Sequence, residues 1–218
     1  MYYYRGILTL DDGKQIDLKQ IGKGAFSKAY VTKKGKPEVY LITQEEDAGD
    51  FSKRILSDIN ERTRSNYLPR VFDVGCLNDG SCVYRMPLYN APLRKSDSPK
   101  AWKQAKALQK CLKEANEYVE RKLRREYGYN WWRQGRYAQR GSWTRNAVLE
   151  CARKNKLPKG LIRALELLSD GTLDYVESYT FEFPARNLAT TESGHLVLLD
   201  VIFDLRSLEQ QRAKQRRW

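Results

Sequence analysis

Two short patterns, far apart in the chain, constrain it most. The first is Ile21-Gly22-Lys23-Gly24-Ala25-Phe26-Ser27-Lys28-Ala29-Tyr30, with two glycines one residue apart between strand-like stretches. The second is Phe181-Glu182-Phe183-Pro184-Ala185-Arg186-Asn187, followed after a turn by Leu198-Leu199-Asp200. Glycines in a tight turn let backbone N–H groups approach phosphates closely. An acid can orient or deprotonate an attacking hydroxyl, and an Asn and an Asp supply hard oxygens for Mg²⁺. Either pattern alone is common: a GxG also makes an ordinary hairpin turn, and an acid, an Asn and a strand-end Asp also decorate surface turns. Their order and spacing together point to phosphoryl-transfer chemistry.

The rest of the chain is compatible with that chemistry. It has 218 residues, 41% of them hydrophobic, with 5 Trp, 14 Tyr and 6 Phe, enough for a real core in one domain or two small lobes. No apolar run approaches the roughly 20 residues needed to span a bilayer. Met1–Gly6 has no basic start ahead of an apolar stretch, so it does not read as a secretory signal. Cys76, Cys82, Cys111 and Cys151 show no CxxC spacing and read as reduced thiols of a cytosolic protein. His195, the single histidine, falls at a polar turn, which excludes a His-based triad or a zinc site.

The net charge of +13 concentrates at 100–156 and in the tail from Arg212, a surface that attracts polyanions or acidic protein patches, or simply stays solvated. Trp131, Trp132, Arg133, Arg136, Tyr137, Arg140 and Trp143 interleave rings with cations. Such a stretch can cover the helical core, anchor a protein partner, or stack on bases while Arg pairs with phosphates.

Residues 2–43 read as β structure, with turns at Asp11–Lys14 and Lys33–Pro37. A helix is predicted over 47–64, from Phe51, Ile55 and Ile59 at spacings of four. Leu68–Gly75 and Ser81–Leu88 form a hairpin across Leu77–Gly80. After a linker at 90–99 come helices at Lys100–Tyr127, at Ser142–Lys154 with Ser142 as cap, and at Pro158–Leu168. An aromatic, Arg-rich break fills 128–141. A hairpin pairs Leu188–Thr190 with Leu196–Leu199 through Glu192–His195, and a short basic helix begins at Leu205.

These residues resemble the protein-kinase superfamily, and more closely the early serine/threonine kinases of enterobacterial podophages. Gly22–Tyr30 looks like that family's loop, including Ser27 in place of a third glycine. Leu68–Val74 looks like its fourth strand, and Glu182, Asn187 and Leu199-Asp200-Val201 look like its catalytic and metal-binding segments. The resemblance implies an α+β, two-lobed, protein-kinase-like fold. Residues 1–89 would be a small antiparallel β lobe with one helix, and 90–218 an abbreviated helical lobe without an activation segment, joined by a hinge at Met86–Asn90.

It implies ATP phosphates at Gly22, Lys23, Gly24, Ala25 and Phe26, an adenine contact at Met86 and Leu88, Mg²⁺ on Asn187 and Asp200, and Glu182 as base. It also implies a host protein target in the bacterial cytoplasm, from the transcription or defence machinery, on which the chain would act either as a divergent serine/threonine kinase or as a weakened pseudokinase that binds and inhibits it, with Trp131, Trp132, Arg133, Arg136, Tyr137 and Arg140 as the candidate partner surface. Nucleic acid on the basic surface is the alternative. The departures from the family are a third strand, Val39–Thr43, without its lysine, Glu182 in place of Asp, and Val201-Ile202 after the metal Asp. Lys28 is the candidate relocated lysine, and Glu46, Asp50 and Asp58 are the candidate helix acids to pair with it.

Overall fold

The computed structural model describes residues 1–24, 27–44, 48–173 and 178–206. It is α+β and divides into two compact units. The first comprises Met1–Arg64 and Pro69–Tyr89; the second comprises Ser65–Leu68 and the chain from Asn90.

The first unit is a seven-stranded antiparallel sheet. Its strands are β1 (Tyr2–Tyr4), β2 (Ile7–Thr9), β3 (Gln15–Lys23), β4 (Ser27–Thr32), β5 (Glu38–Gln44), β6 (Phe72–Cys76) and β7 (Ser81–Pro87), in the order β1-β2-β3-β4-β5-β7-β6. The β structure expected from residue 2 opens with a hairpin, β1–β2, that the sequence did not announce. Arg5 and Gly6 both take positive φ (46° and 89°), the two-residue turn that suits the twist of paired strands. The sheet curls until the Asn78 N–H of the β6–β7 turn reaches the Met1 carbonyl at 3.0 Å.

Strand alternation sorts the side chains between two faces. Leu8, Leu18, Tyr30, Tyr40, Leu77 and Val83 fill one, with Ile42 and Val74 packed against them. The other is covered by helix α1 (Ala48–Arg62), whose Ile55, Leu56 and Ile59 are buried and which packs on β5 and β6. In register, Leu41 lies opposite Tyr84 and Thr43 opposite Cys82, on this α1 side.

The second unit is built on α2 (Pro99–Tyr127) and α3 (Tyr137–Lys154), packed along each other, with α4 (Lys159–Leu173). Ser98 caps α2, its Oγ accepting from the Ala101 N–H at 3.2 Å, and Pro99 suits the first turn. Ala101, Ala105, Leu108, Cys111, Ala115, Val119 and Leu123 make its buried stripe at helical spacing.

Helix α3 begins five residues before the expected cap at Ser142. A short 3-10 turn, Trp131–Gln134, ends at left-handed Gly135, and the helix starts directly after it. Four short strands complete the unit. β8 (Tyr179–Phe181) pairs with β11 (Ile202–Asp204), and β9 (Leu188–Thr190) pairs with β10 (Leu196–Leu198).

The four cysteines are free. Cys76 and Cys82, whose linear spacing shows no pattern, face each other across β6 and β7 with Sγ atoms 3.5 Å apart. Among the described residues no helix is long and apolar enough to cross a membrane.

Candidate functional site

In the second unit, the segment Phe181–Asp204 brings three of the expected site residues, Glu182, Asn187 and Asp200, into one small structure. Phe181 and Phe183 are buried and anchor the backbone on either side of Glu182. The Glu182 N–H donates to the Val201 carbonyl at 2.8 Å, extending the β8–β11 ladder by one step. A 3-10 turn at Ala185–Asn187 then reverses the chain, closed by the Asn187 N–H on the Pro184 carbonyl at 2.9 Å. That reversal returns Asn187 to Glu182, and its Nδ2 donates to Glu182 Oε1 at 2.6 Å. After the β9–β10 hairpin the chain comes back again. The N–H groups of Leu199 and Asp200 both donate to the Asn187 carbonyl, at 3.0 and 3.3 Å. Asn187 therefore joins the acid to the Asp200 turn through both its side chain and its backbone.

The segment is held from outside as well. Gln109 of α2 donates to the Phe183 carbonyl at 2.7 Å, and the Leu93 N–H bridges the Ala185 and Leu188 carbonyls. An Arg145 guanidinium, fully buried in α3, donates to the Tyr179 carbonyl and, through Nε, to Ser169 Oγ.

Glu182 is half-buried, and its pKa is raised above the usual carboxylate value, chiefly by burial. Arg186 and the Asn187 amide oppose that shift, while the negative charge of Asp200 adds to it. Raising a carboxylate's pKa makes it a stronger proton acceptor.

The donor set also discriminates between metals. Asn187 spends its amide N–H on Glu182, which directs its Oδ1 elsewhere as a hard oxygen, and Asp200 is exposed. Among the described residues no group of three or more His, Cys, Asp or Glu is gathered for a metal. One carboxylate and one amide oxygen are too few for a site made of protein alone. They suit Mg²⁺, which usually takes one or two carboxylates together with substrate phosphates.

In the first unit, Gly22 and Lys23 end β3, and the Gly24 N–H donates to the Ser27 carbonyl at 2.8 Å. Neither Gly22 nor Gly24 takes a positive φ, and a Cβ added to either would meet nothing closer than 3.7 or 3.6 Å. The fold therefore does not itself require glycine at either position. Ala25 and Phe26 lie outside the described residues. Met86 is half-buried on β7 opposite Val39, and Leu88 is exposed.

Lys28, the candidate relocated lysine, is placed by the register of β4 with β5. It pairs with Ile42 and shares the face of Tyr30, opposite the one α1 covers, because residues two apart on a strand share a side. Leu41 occupies the α1-facing place on β5, opposite Tyr84. Of the three candidate helix acids, Glu46 lies outside the described residues and Asp58 is half-buried. Asp50 is fully buried, accepting from Tyr84 Oη at 2.6 Å and Arg54 Nε at 2.9 Å. That carboxylate and burial together push the Tyr84 phenol well above its ordinary pKa. No signal in the sequence pointed to Tyr84, which lies 34 residues from Asp50 in the chain.

The aromatic, basic stretch splits in two. Trp131, expected on a partner surface, is a core residue, 3% exposed and packed with Val119 and Leu123, and its Nε1–H donates to Glu120 at 3.2 Å. Tyr137 and Trp143 pack against the same cluster. Trp132 is 44% exposed, and Arg133 lies over its ring. Arg136 lies over Tyr127 and Arg140 over Trp131.

No protein-family model matches the chain, and no curated protein is significantly similar to it.

Proposed function

We propose that the chain is a protein-kinase-like protein of the phage type that binds Mg·ATP and acts on a host protein. The observation that carries this reading is the Glu182–Asn187–Asp200 segment: strand, acid, tight turn, Asn, hairpin, Asp, strand, tied together at Asn187. In phosphoryl transfer such an acid positions the attacking hydroxyl, and such an Asn and Asp hold the metal that neutralises the phosphates. The first unit supports it: three strands, a helix and two strands follow the order expected of a kinase small lobe, preceded by the additional β1–β2 hairpin. The glycines at 22 and 24, which the fold does not need, leave no side chain in the way of a phosphate approaching this turn.

When bound, Mg²⁺ supplies charge neutralisation. Asn187 and Asp200 would hold it, and Glu182 would accept the proton of an incoming serine or threonine hydroxyl. One feature favours a catalytically weakened, target-binding form over a fast kinase. The α1 side of β5 carries Leu41 where a lysine would contact the α/β-phosphates, and Asp50 is engaged by Tyr84 and Arg54 instead. Glu182 is also one methylene longer than the usual Asp, and a displacement of about 1 Å at such a group can cost roughly 100-fold.

The test is transfer of labelled γ-phosphate to host proteins and to the chain itself, by wild type and Asp200→Asn. Slow, Mg²⁺-dependent transfer lost in the variant is expected of the weakened kinase, and Mg·ATP binding without transfer of its target-binding limit. Transfer or binding that survives Asp200→Asn unchanged would overturn the assignment.

A further inference from the structure

The end of the α2–α3 hairpin carries a second, independent feature. Between Tyr118 and Arg140 there are seven Lys or Arg against two Glu. One of those acids, Glu120, is already bonded to Arg124 at 2.9 Å and to Trp131. Arg121, Arg125, Arg133 and Arg136 have no carboxylate partner within ion-pair distance among the described residues. Several cations lie on rings instead: Arg124 is 5.1 Å from the Tyr129 centroid, Arg133 is 4.9 Å from that of Trp132, and Arg136 is 4.6 Å from that of Tyr127. Arg124 and Arg133 are exposed, so a guanidinium over its ring there still has N–H donors that phosphate oxygens can accept from.

The core explains only some of these rings. Trp131 is inside, with Tyr137 and Trp143 packed on it, but Tyr129 is 78% exposed and Tyr118 and Trp132 are about half exposed. Of the exposed rings, Tyr129 carries Arg124 and Trp132 carries Arg133. Tyr, Trp and Arg also occur in protein–protein interfaces, but seven cations against two acids favour a polyanion. The pattern matches a single-stranded nucleic-acid surface, in which rings stack on bases and Arg tracks the phosphates.

We infer that the α2–α3 tip, centred on Tyr129, Trp132 and Arg133, is a binding site for single-stranded nucleic acid. Bases stack on the open faces of Tyr129 and Trp132, while Arg121, Arg125 and Arg133 pair with flanking phosphates. The site is separate from the Glu182–Asp200 segment, so Asp200→Asn leaves it intact.

Fluorescence anisotropy of the full chain tests it, with oligo-uridine and oligo-thymidine of about 20 nucleotides, a duplex of the same length, heparin and poly-glutamate as probes. Both single strands should bind more tightly than the duplex, and the ratio between them tells RNA from DNA preference. The pair Tyr129→Ala with Trp132→Ala should weaken single-strand binding at least about 30-fold, because each stacked base is worth about fivefold or more. It should leave heparin binding and the melting temperature unchanged.

Replacing Arg121, Arg125 and Arg133 by Gln should weaken oligonucleotides and heparin alike, and should lower the salt slope for single strands by about 2. Failure to bind single strands at about 50 mM salt, an equal loss for heparin in the ring variant, or ring-dependent binding of poly-glutamate would each overturn the inference. The last of these would assign the surface to an acidic protein.

Discussion

Asp50 in the first unit and Glu182 in the second are both acids drawn out of water, and their surroundings differ. Asp50 is fully buried, and both its oxygens are taken, one by the Tyr84 phenol and one by Arg54. Helix α1 and strand β7 are joined through it. Glu182 is only half-buried, with a single amide donor, and feels Arg186 and Asp200 with opposite signs. A carboxylate saturated by fixed donors serves structure. One with a spare lone pair, a raised pKa and a neighbouring acid is available for chemistry. On the proposed reading the acid available for chemistry lies in the second unit, while Asp50 of the first serves packing.

The largest expected effect comes from breaking the structural acid. Asp50→Ala strands the buried Tyr84 hydroxyl and the Arg54 guanidinium. It should cost about 3 kcal/mol, the low end for removing one partner of a buried pair, because the Arg54 side chain is 36% exposed and can turn to water. Urea unfolding measures this, and a loss below about 1 kcal/mol would show that Asp50 is not what joins α1 to β7.

Asn187→Ala should cost less, about 1–2 kcal/mol, by removing the amide donor of Glu182 while leaving the backbone acceptor for Leu199 and Asp200 in place. It should also raise the Glu182 pKa further, which carboxyl NMR titration would follow. An unmoved Glu182 resonance would break the proposed coupling.

Leu41→Lys sharpens the contrast by returning an ammonium to the side of β5 that α1 covers. On the proposed kinase-like reading, ATP affinity should rise about tenfold, or 1.4 kcal/mol. An unchanged affinity measured by calorimetry would mean that Tyr84 and Arg54 have rebuilt this side beyond a single substitution.

Glu182→Gln gives the smallest effect, and its sign is informative. The folded-state pKa of Glu182 is raised, so the stability held by its protonated form is fully present below the ordinary Glu value of about 4.3. That stability is lost as pH rises through the folded-state pKa. Gln keeps an acceptor for Asn187 and has no charge to desolvate. The melting temperature of the variant relative to wild type should therefore increase from about pH 4 to pH 7. A difference that does not change with pH would show that Glu182 is not held above its usual range.

Much of this arrangement was legible in the sequence because it is local. The β9–β10 register, the α2 stripe and the turn across Leu77–Gly80 follow from alternation, helical spacing and turn residues. The acid–x4–Asn spacing likewise found a contact, since a 3-10 turn of three residues returns Asn187 to Glu182.

What was missed depends on partners distant in the chain or on backbone conformations that the residues only weakly signal. Arg5-Gly6 is a poor advertisement for a turn with two positive φ values, which Asn-Gly or Asp-Gly would announce. Ser142 offered a capping side chain, but left-handed Gly135 started the helix earlier. Trp131 and Trp132 are neighbours of equal hydrophobicity, and only the packing of Val119 and Leu123 on one of them separates core from surface. Strand register puts Lys28 on the face away from α1, which proximity along the chain does not reveal.

The most direct test of the central claim, that Asn187 and Asp200 hold a metal–nucleotide, is thermal melting of wild type and Asp200→Asn with ATP, with Mg²⁺, with both and with neither. Wild type should gain stability only with both, by about 2.7 kcal/mol at 100 times the dissociation constant, and Asp200→Asn should gain little. An equal gain in the two proteins, or none in wild type at millimolar ATP, would contradict the claim.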